Sequence, residues 1–412
     1  MKAEIITVGT ELLIGNVIDS NSVYLSRRLT ELGIDVRFHT SVRDNREDLY
    51  HAIQIALERC DYLFLAGGLG PTDDDLTKEV LAEVLGKELL LSDETWELIK
   101  KRLEFFSKKI TPNNKKQALY IDGSYIIPNP NGSAPGEYIE MDHCKVFLLP
   151  GPPKEFEPMA DGILDTYFKD IYEEFFIESL NLCFIGESQC EEQIRLLKLE
   201  KDYLEINTFA KTHEVEIKII ANASAENKEM VKHDFEEAIS VLKEHFQDYI
   251  YAIGQTTIPK TLVSILREKG KTICFAESVT CGLLPNLIGS VPGASDCLKE
   301  SFVVYSNESK VNLLKVNPEE IGEYSVVSQK VASSMSKGAY ELSKADFVIS
   351  TTGEAGPTTS SNESPGTVCY SIRCGGEEVA NEKVHFLGNR EEVRLRAAKY
   401  ILGKTIFLLK EE

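Results

Sequence analysis

Lys271–Leu284 reads KTICFAESVTCGLL, an apolar run that passes through Glu277-Ser278 into a stretch of helical character. A strand handing over to a helix is the repeating unit of an α/β layer, and ligands gather at the carboxyl ends of such strands. The residue at this hand-over is a serine. The reading predicts a strand over Lys271–Ala276 and places Ser278 on the N-terminus of the next helix. Free backbone N–H groups and the positive dipole end would there stabilise an alkoxide and then an oxyanion. The plainer alternative is an N-cap, a role serine favours. Downstream, VVYSNESK at Val303–Lys310 supplies a tyrosine and a lysine after a second apolar strand. Serine as nucleophile, Lys310 as base and Tyr305 as hydrogen-bond donor make an acyl-transfer set without histidine. A lysine base must be neutral, so its pKa must fall well below the free value of about 10.4. The alternatives are a solvated helix lysine and a packed strand tyrosine.

The same strand–helix alternation extends to both sides. Strands are expected at Glu4–Val8, Val36–Val42, Tyr62–Ala66 and Lys145–Leu149, with helices over Asn45–Cys60, Asp73–Leu85 and Asp93–Lys108. Glycine-rich turns follow the strands, at Gly9-Thr10-Glu11, Gly67-Gly68-Leu69-Gly70 and Gly151-Pro152-Pro153. From about residue 166 to 255 the pattern changes: His213–Ala221 alternates as a half-buried strand does, and Ala225–His245 is a charged amphipathic helix. Beyond it come a helix at Lys260–Lys269, strands at Phe302–Tyr305, Asp346–Thr351, Gly366–Ile372 and Glu378–Phe386, and helices at Ser328–Leu342 and Glu391–Leu409. The expected fold is α/β: two three-layer α/β domains with mostly parallel sheets (1–165 and 256–412), joined by a small α+β linker domain (166–255).

A net charge of −21 argues against nucleic acid and anionic membranes as partners. Small anionic ligands are not excluded, because backbone amides bind phosphate locally. MKAEIITVG at the start has no long apolar signal core, and no run approaches a membrane span. Nine cysteines fall as singles without C-x-x-C spacing, as reduced thiols in a cytosol would. A cytoplasmic protein is expected.

Several motifs together resemble the CinA-like family over essentially the whole length. GTELLIGNVIDSNSVYLSRRLTELG (Gly9–Gly33), GGLGPTDDDLT (Gly67–Thr77), KKQA (Lys115–Ala118), NPNGSAPG (Asn129–Gly136) and LLPGPPKEF (Leu148–Phe156) are similar to its MogA/MoaB-like molybdopterin-binding-fold domain. AESVTCGLL (Ala276–Leu284), VPGAS (Val291–Ser295), VVYSNESKVNLL (Val303–Leu314), GEAGP (Gly353–Pro357), PGTV (Pro365–Val368) and GNREEVR (Gly388–Arg394) resemble its nicotinamide-nucleotide amidase domain. The resemblance implies hydrolysis of nicotinamide mononucleotide to nicotinic acid mononucleotide and ammonia, with no cofactor. For the N-terminal domain it implies ADP-ribose hydrolysis with a divalent metal ion. A homodimer is expected.

Ser278, Lys310 and Tyr305 match the family's catalytic set, and Ser295 matches a hydroxyl the family places near them. Arg390, with Arg394 one turn on, is the expected partner of the substrate phosphate, the alternative being a surface ion pair with neighbouring glutamates. Thr352, Gly353 and Gly356 are expected in a loop over the nucleotide, binding through backbone N–H groups. In the N-terminal part Asp74 and Asp75 are the expected metal ligands, with first-turn capping of a helix as the alternative. Glu11, Asn21, Gly68, Gly70, Asn129 and Gly132 are expected around the nucleotide, and Asp19 and Ser20 as caps.

Three departures from the family pattern motivate a rival reading. Cys281 stands where a glycine is usual, Pro285 should kink or end the following helix, and the loop after Gly356 lacks the usual glycine run. Glu354 adds a carboxylate where the family has an apolar residue. The rival is a non-catalytic nucleotide- or pterin-binding protein with a decayed amidase half.

Overall fold

The computed structural model describes residues 1–105, 109–169, 175–224, 226–359 and 361–411. The last three residues expected in the helix from Asp93, the start of that expected at Ala225, and Ser360 of the loop after Gly356 lie outside these. Contacts divide the chain into two compact units, Met1–Phe175 and Phe176–Glu412.

In the first unit six strands lie side by side, beginning in order at Asp35, Lys2, Tyr62, Lys145, Gly136 and Tyr125. The three pairings among the first four strands are parallel, and the other two are antiparallel. Strands Lys2–Val8, Tyr62–Ala66 and Lys145–Leu149 are near-continuous apolar runs because both faces are covered. One face packs on Leu49, Ile53 and Leu81, the other on Leu25, Leu29 and Phe156. The helix expected from Asp73 begins only at Thr77. The backbone instead turns at Thr72, whose N–H donates to Asp75 Oδ2 (2.9 Å). Asp73–Asp75 therefore precede the helix, and the first-turn capping reading fails. Asp19 does cap Ser20–Glu31, accepting from the Ser22 N–H.

The second unit begins with a four-stranded sheet of Leu204–Lys211, Glu214–Asn222, Phe175–Leu182 and Ile250–Ile253, backed by helices Glu187–Leu197 and Lys228–His245. The final sheet runs Leu298–Val303, Ile273–Glu277, Phe347–Gly353, Thr367–Cys374, Glu377–His385. Its first two pairings are parallel and its last two antiparallel, so the expectation of a mostly parallel sheet is corrected here. For the last pairing the cause is local: Gly375 and Gly376, both at positive φ, form a two-residue hairpin turn that reverses the chain. The strand expected at Phe302–Tyr305 ends at Val303, which leaves Tyr305 in the connection to the next helix.

Ser278 also differs from expectation. The following helix is Leu283–Gly289, so the serine lies five residues before it, in a turn. Cys281 (φ 49°) and Gly282 (φ 87°) are left-handed, which no α-helix accommodates, and the helix starts after them. Pro285 is that helix's third residue. Its missing N–H would have no intrahelical acceptor there, so it neither kinks nor ends the helix.

Two glycines in helices make opposite predictions. Gly338 lies on Gln329–Ser343, where an added Cβ would sit 1.9 Å from the Leu314 carbonyl oxygen, at the end of the helix carrying Lys310. Gly162, on Pro153–Tyr167, has open space around it. Alanine gains about 1 kcal/mol of helix propensity at either position. At Gly338 a clash with backbone, costing about 1–3 kcal/mol or more, outweighs that gain. Gly338→Ala should lower the urea midpoint and Gly162→Ala should raise it. The reverse order would show that the two helices can separate at little cost.

Candidate active site

Ser278 sits past the carboxyl end of the central strand Ile273–Glu277, with its N–H donating to the Thr351 carbonyl of the neighbouring strand (2.9 Å). That amide is therefore spent on the fold and is not free to bind an oxyanion. Lys310 comes from Asn307–Leu314, a helix capped by the Ser306 hydroxyl. Its Nζ lies 3.0 Å from Ser278 Oγ, 2.9 Å from the Val304 carbonyl and 3.2 Å from the Tyr305 carbonyl. Lys310 is fully buried and makes no salt bridge among the described residues, and burial pulls its pKa down from 10.5 to about 8. A neutral amine has two N–H bonds and one lone pair. If the two carbonyls take the N–H bonds, the lone pair is left for the Ser278 proton.

Tyr305 serves this pair through its backbone carbonyl rather than its hydroxyl. Its side chain is exposed, and Arg390 Nη2 donates to its Oη (2.9 Å). Arg390 opens the last helix, Arg390–Glu411, and its Nη1 also donates to the Gly356 carbonyl (3.2 Å). One turn on, Arg394 Nη2 donates to the Thr280 carbonyl (2.8 Å) inside the serine turn, while its Nε is buried without a partner. Among the described residues neither arginine makes a salt bridge, so the surface-ion-pair alternative is not realised. Both guanidiniums converge on the loops around Ser278.

Ser295 is not brought here. It precedes the strand Leu298–Val303, which runs parallel to Ile273–Glu277 with Leu298 opposite Ile273. The two serines therefore lie at opposite ends of the sheet, about 16 Å of strand apart. Thr352 and Gly353 are also spent on the fold. Thr352 Oγ1 donates to the Val326 carbonyl (2.8 Å), and a Cβ on Gly353 would sit 2.5 Å from the Thr367 carbonyl. Gly356 (φ 81°) offers a carbonyl, not an N–H, to Arg390. Glu354 is buried and accepts from the Ser361 N–H (2.8 Å), so it organises the loop from within.

Glu277 was not singled out by sequence reasoning. It is fully buried, accepts from the Leu284 N–H through Oε2 (3.1 Å), and leaves Oε1 without a hydrogen bond. Burial raises its pKa. The signal was available: a glutamate closing the otherwise apolar strand ICFAE is costly to bury and needs a reason.

In the first unit, a cavity of about 490 Å³ is lined by Glu11, Asn21, Gly68, Gly70, Asp74 and Asp75, among others. Asp19, Asp44 and Glu155 also line it, and among the described residues no lysine or arginine does. Asn21 Nδ2 donates to the Gly151 carbonyl (2.7 Å), and its Oδ1 is buried without a partner. Asn129 and Gly132 do not line the cavity. Asn129 Oδ1 accepts from the N–H groups of Asn131 and Gly132, and its Nδ2 donates to Ala134 and Glu155, so it organises its own loop. A Cβ on Gly132 would meet Glu155, and one on Gly70 would meet Asp75. Thr72 Oγ1 contacts both Asp74 and Asp75. These hydrogen bonds hold the Asp74 pKa below the usual carboxylate range. Hard oxygen donors of this kind suit a hard divalent cation that takes its other ligands from phosphate oxygens and water. Among the described residues no three such side chains are already gathered to hold one.

Fold and site together define a multidomain α/β protein with a buried serine–lysine pair at a strand end and a carboxylate-lined cavity in a separate unit. Residues 255–407 match the CinA C-terminal domain, 4–170 a probable molybdopterin binding domain and 178–252 the damage-inducible protein CinA KH domain. A CinA-like protein of Dictyoglomus thermophilum is 40% identical over 401 residues, covering 96% of either chain. Another, from Dictyoglomus turgidum, is 40% identical over 397 residues, again 96% of each. The crystal structure of the protein CinA with unknown function from Thermoplasma acidophilum is 35% identical, covering 42% of this chain and 99% of that one, with a TM-score of 0.38. The chain belongs to the CinA-like family. No described helix is long and apolar enough to cross a membrane.

Proposed function

We propose that the C-terminal domain is an amidase that hydrolyses nicotinamide mononucleotide to nicotinic acid mononucleotide and ammonia. The observation that carries this reading is the buried Lys310 amine, paired with no carboxylate among the described residues, 3.0 Å from the Ser278 hydroxyl. Ser278 Oγ attacks the carboxamide carbon as Lys310 takes its proton. Lys310 then passes the proton to the nitrogen, and the C–N bond breaks to release ammonia. Water, deprotonated by the same amine, cleaves the acyl-serine ester and frees the acid. Arg390 and Arg394 hold the substrate phosphate at the mouth. Cys281 and Pro285 do not argue for decay, since the turn and helix accommodate both. Ammonia release from nicotinamide mononucleotide by the full-length chain is the test. No release, with tight nucleotide binding retained, would favour the non-catalytic alternative.

The carboxylate-lined cavity favours a second activity in the N-terminal domain, hydrolysis of ADP-ribose. Asp74 and Asp75 would hold a divalent ion, which when bound screens the pyrophosphate charge and polarises it towards water. The charged side chains lining this cavity are carboxylates, which repel a pyrophosphate unless a cation intervenes, so AMP production should require added divalent metal. Equal AMP production in the presence of a chelator would reject this role for the aspartates.

A further inference from the structure

The second unit contains a larger cleft, about 910 Å³, that shares no lining residue with the serine site. One wall is the last helix, presenting Arg396, Tyr400 and Lys404. The others are Phe184–Glu187 and the hairpin tip Lys211–Val215. The volume suits a ligand of mononucleotide size. Three cations face it in a chain whose net charge is −21. Lys211 is paired with Glu216 (2.6 Å) and Lys404 with Glu382 (3.2 Å). Of the lining acids, Glu214 is spent on Lys399 and Tyr251, and Glu187 is exposed to solvent. Arg396 makes no hydrogen bond or salt bridge among the described residues, so its planar fork faces the cleft uncommitted.

A second observation points the same way. The His213 ring packs against Phe184, Phe386 and Tyr400, and its Nε2 is buried without a hydrogen bond. Burial and the neighbouring Arg396 favour the neutral ring. A polar atom shut away from water without a partner is costly unless something else satisfies it. The backbone adds a third observation. Among the described residues, seven non-glycine residues have positive φ, and four of them (Lys198, Lys315, Ser325 and Lys344) end helices. Cys281 belongs to the serine turn. The remaining two, Phe184 (φ 69°) and His213 (φ 61°), both line this cleft. The φ of His213 belongs to the two-residue hairpin turn between Leu204–Lys211 and Glu214–Asn222, which fixes that ring at the cleft wall.

We propose that this cleft binds a phosphate monoester of mononucleotide size, anchored by the Arg396 guanidinium and contacted by His213 Nε2, with Lys211 and Lys404 flanking the anion. A fork donor matches phosphate geometry better than an ammonium does, and Arg396 is the cation of this lining that, among the described residues, no carboxylate already holds.

The test uses the full-length protein with labelled histidine rings, of which there are seven. The His213 signal is identified by its loss in His213→Asn. Inorganic phosphate, adenosine 5′-monophosphate and adenosine are titrated separately. Phosphate and the nucleotide should move the His213 signal saturably, and adenosine should not. Arg396→Gln should weaken the binding at least ~tenfold, and Arg396→Lys should weaken it less, because charge survives while the fork is lost. Tighter binding of the nucleotide than of phosphate identifies a nucleotide site, and equal binding a simple phosphate site. An unmoved His213 signal, an equal response to adenosine, or unchanged affinity in a folded Arg396→Gln protein would overturn the proposal. Ser278→Ala should leave this binding intact, which separates its failure from failure of the amidase reading.

Discussion

Ser278→Ala should reduce ammonia release from nicotinamide mononucleotide by about ten-thousandfold, while the protein stays folded and binds the substrate with little change. The size follows from the role. Removing a nucleophile abolishes the covalent route and leaves only what binding and positioned charges contribute. The structural role of the hydroxyl is small by comparison: one hydrogen bond to Lys310 Nζ, worth about 1–3 kcal/mol if its partner is left unsatisfied. Ser278 caps no helix, so loss of a cap contributes nothing to the effect. Thermal unfolding measured beside the ammonia assay separates the two roles. An active Ser278→Ala protein would remove the acyl-enzyme from the mechanism and leave direct attack by water.

The contrast between Ser278 and Ser295 shows what sequence could and could not provide. Both lie in motifs shared with one family, and both are followed by local turn or helix. Only strand register separates them: Leu298 opposite Ile273 puts Ser295 at the amino end of the sheet and Ser278 at the carboxyl end. Register is a pairing between distant segments, so the spacing of one segment does not reveal it. Lys310 was legible for the opposite reason. Its helix directly follows the strand beside the serine, and that short connection carries it to the same sheet end. Tyr305 shows a finer limit. The sequence places it correctly in the chain, yet a side chain leaving a strand end can point to either face, and Arg390, 85 positions later, decides which. The strand and helix runs of the first unit were readable because burial on both sheet faces writes long apolar stretches. The half-antiparallel final sheet was not, because alternating strands look alike whichever way they pair.

Lys310→Met should abolish the same reaction and change how stability depends on pH. Methionine fills similar space but has no proton acceptor, so ammonia release should fall by about a thousandfold or more. In the wild type, kcat/KM should rise with pH through about 8, where the buried amine loses its proton and becomes able to accept one from Ser278. The stability effect has a definite sign. The folded amine titrates near 8 against an ordinary value of 10.5, so between those pH values the unfolded chain holds a proton that the folded chain has lost. Unfolding free energy must therefore rise with pH across that window, by about 3 kcal/mol in total for this one group. Below pH 8 both states carry the proton and the contribution is flat. Lys310→Met lacks the group, so subtracting its pH–stability curve from that of the wild type isolates the slope from every other titration. A difference curve that stays level from pH 8 to 10 would mean that the amine is charged in the folded protein. The lysine would then have no lone pair to offer, and Ser278 would need a different base.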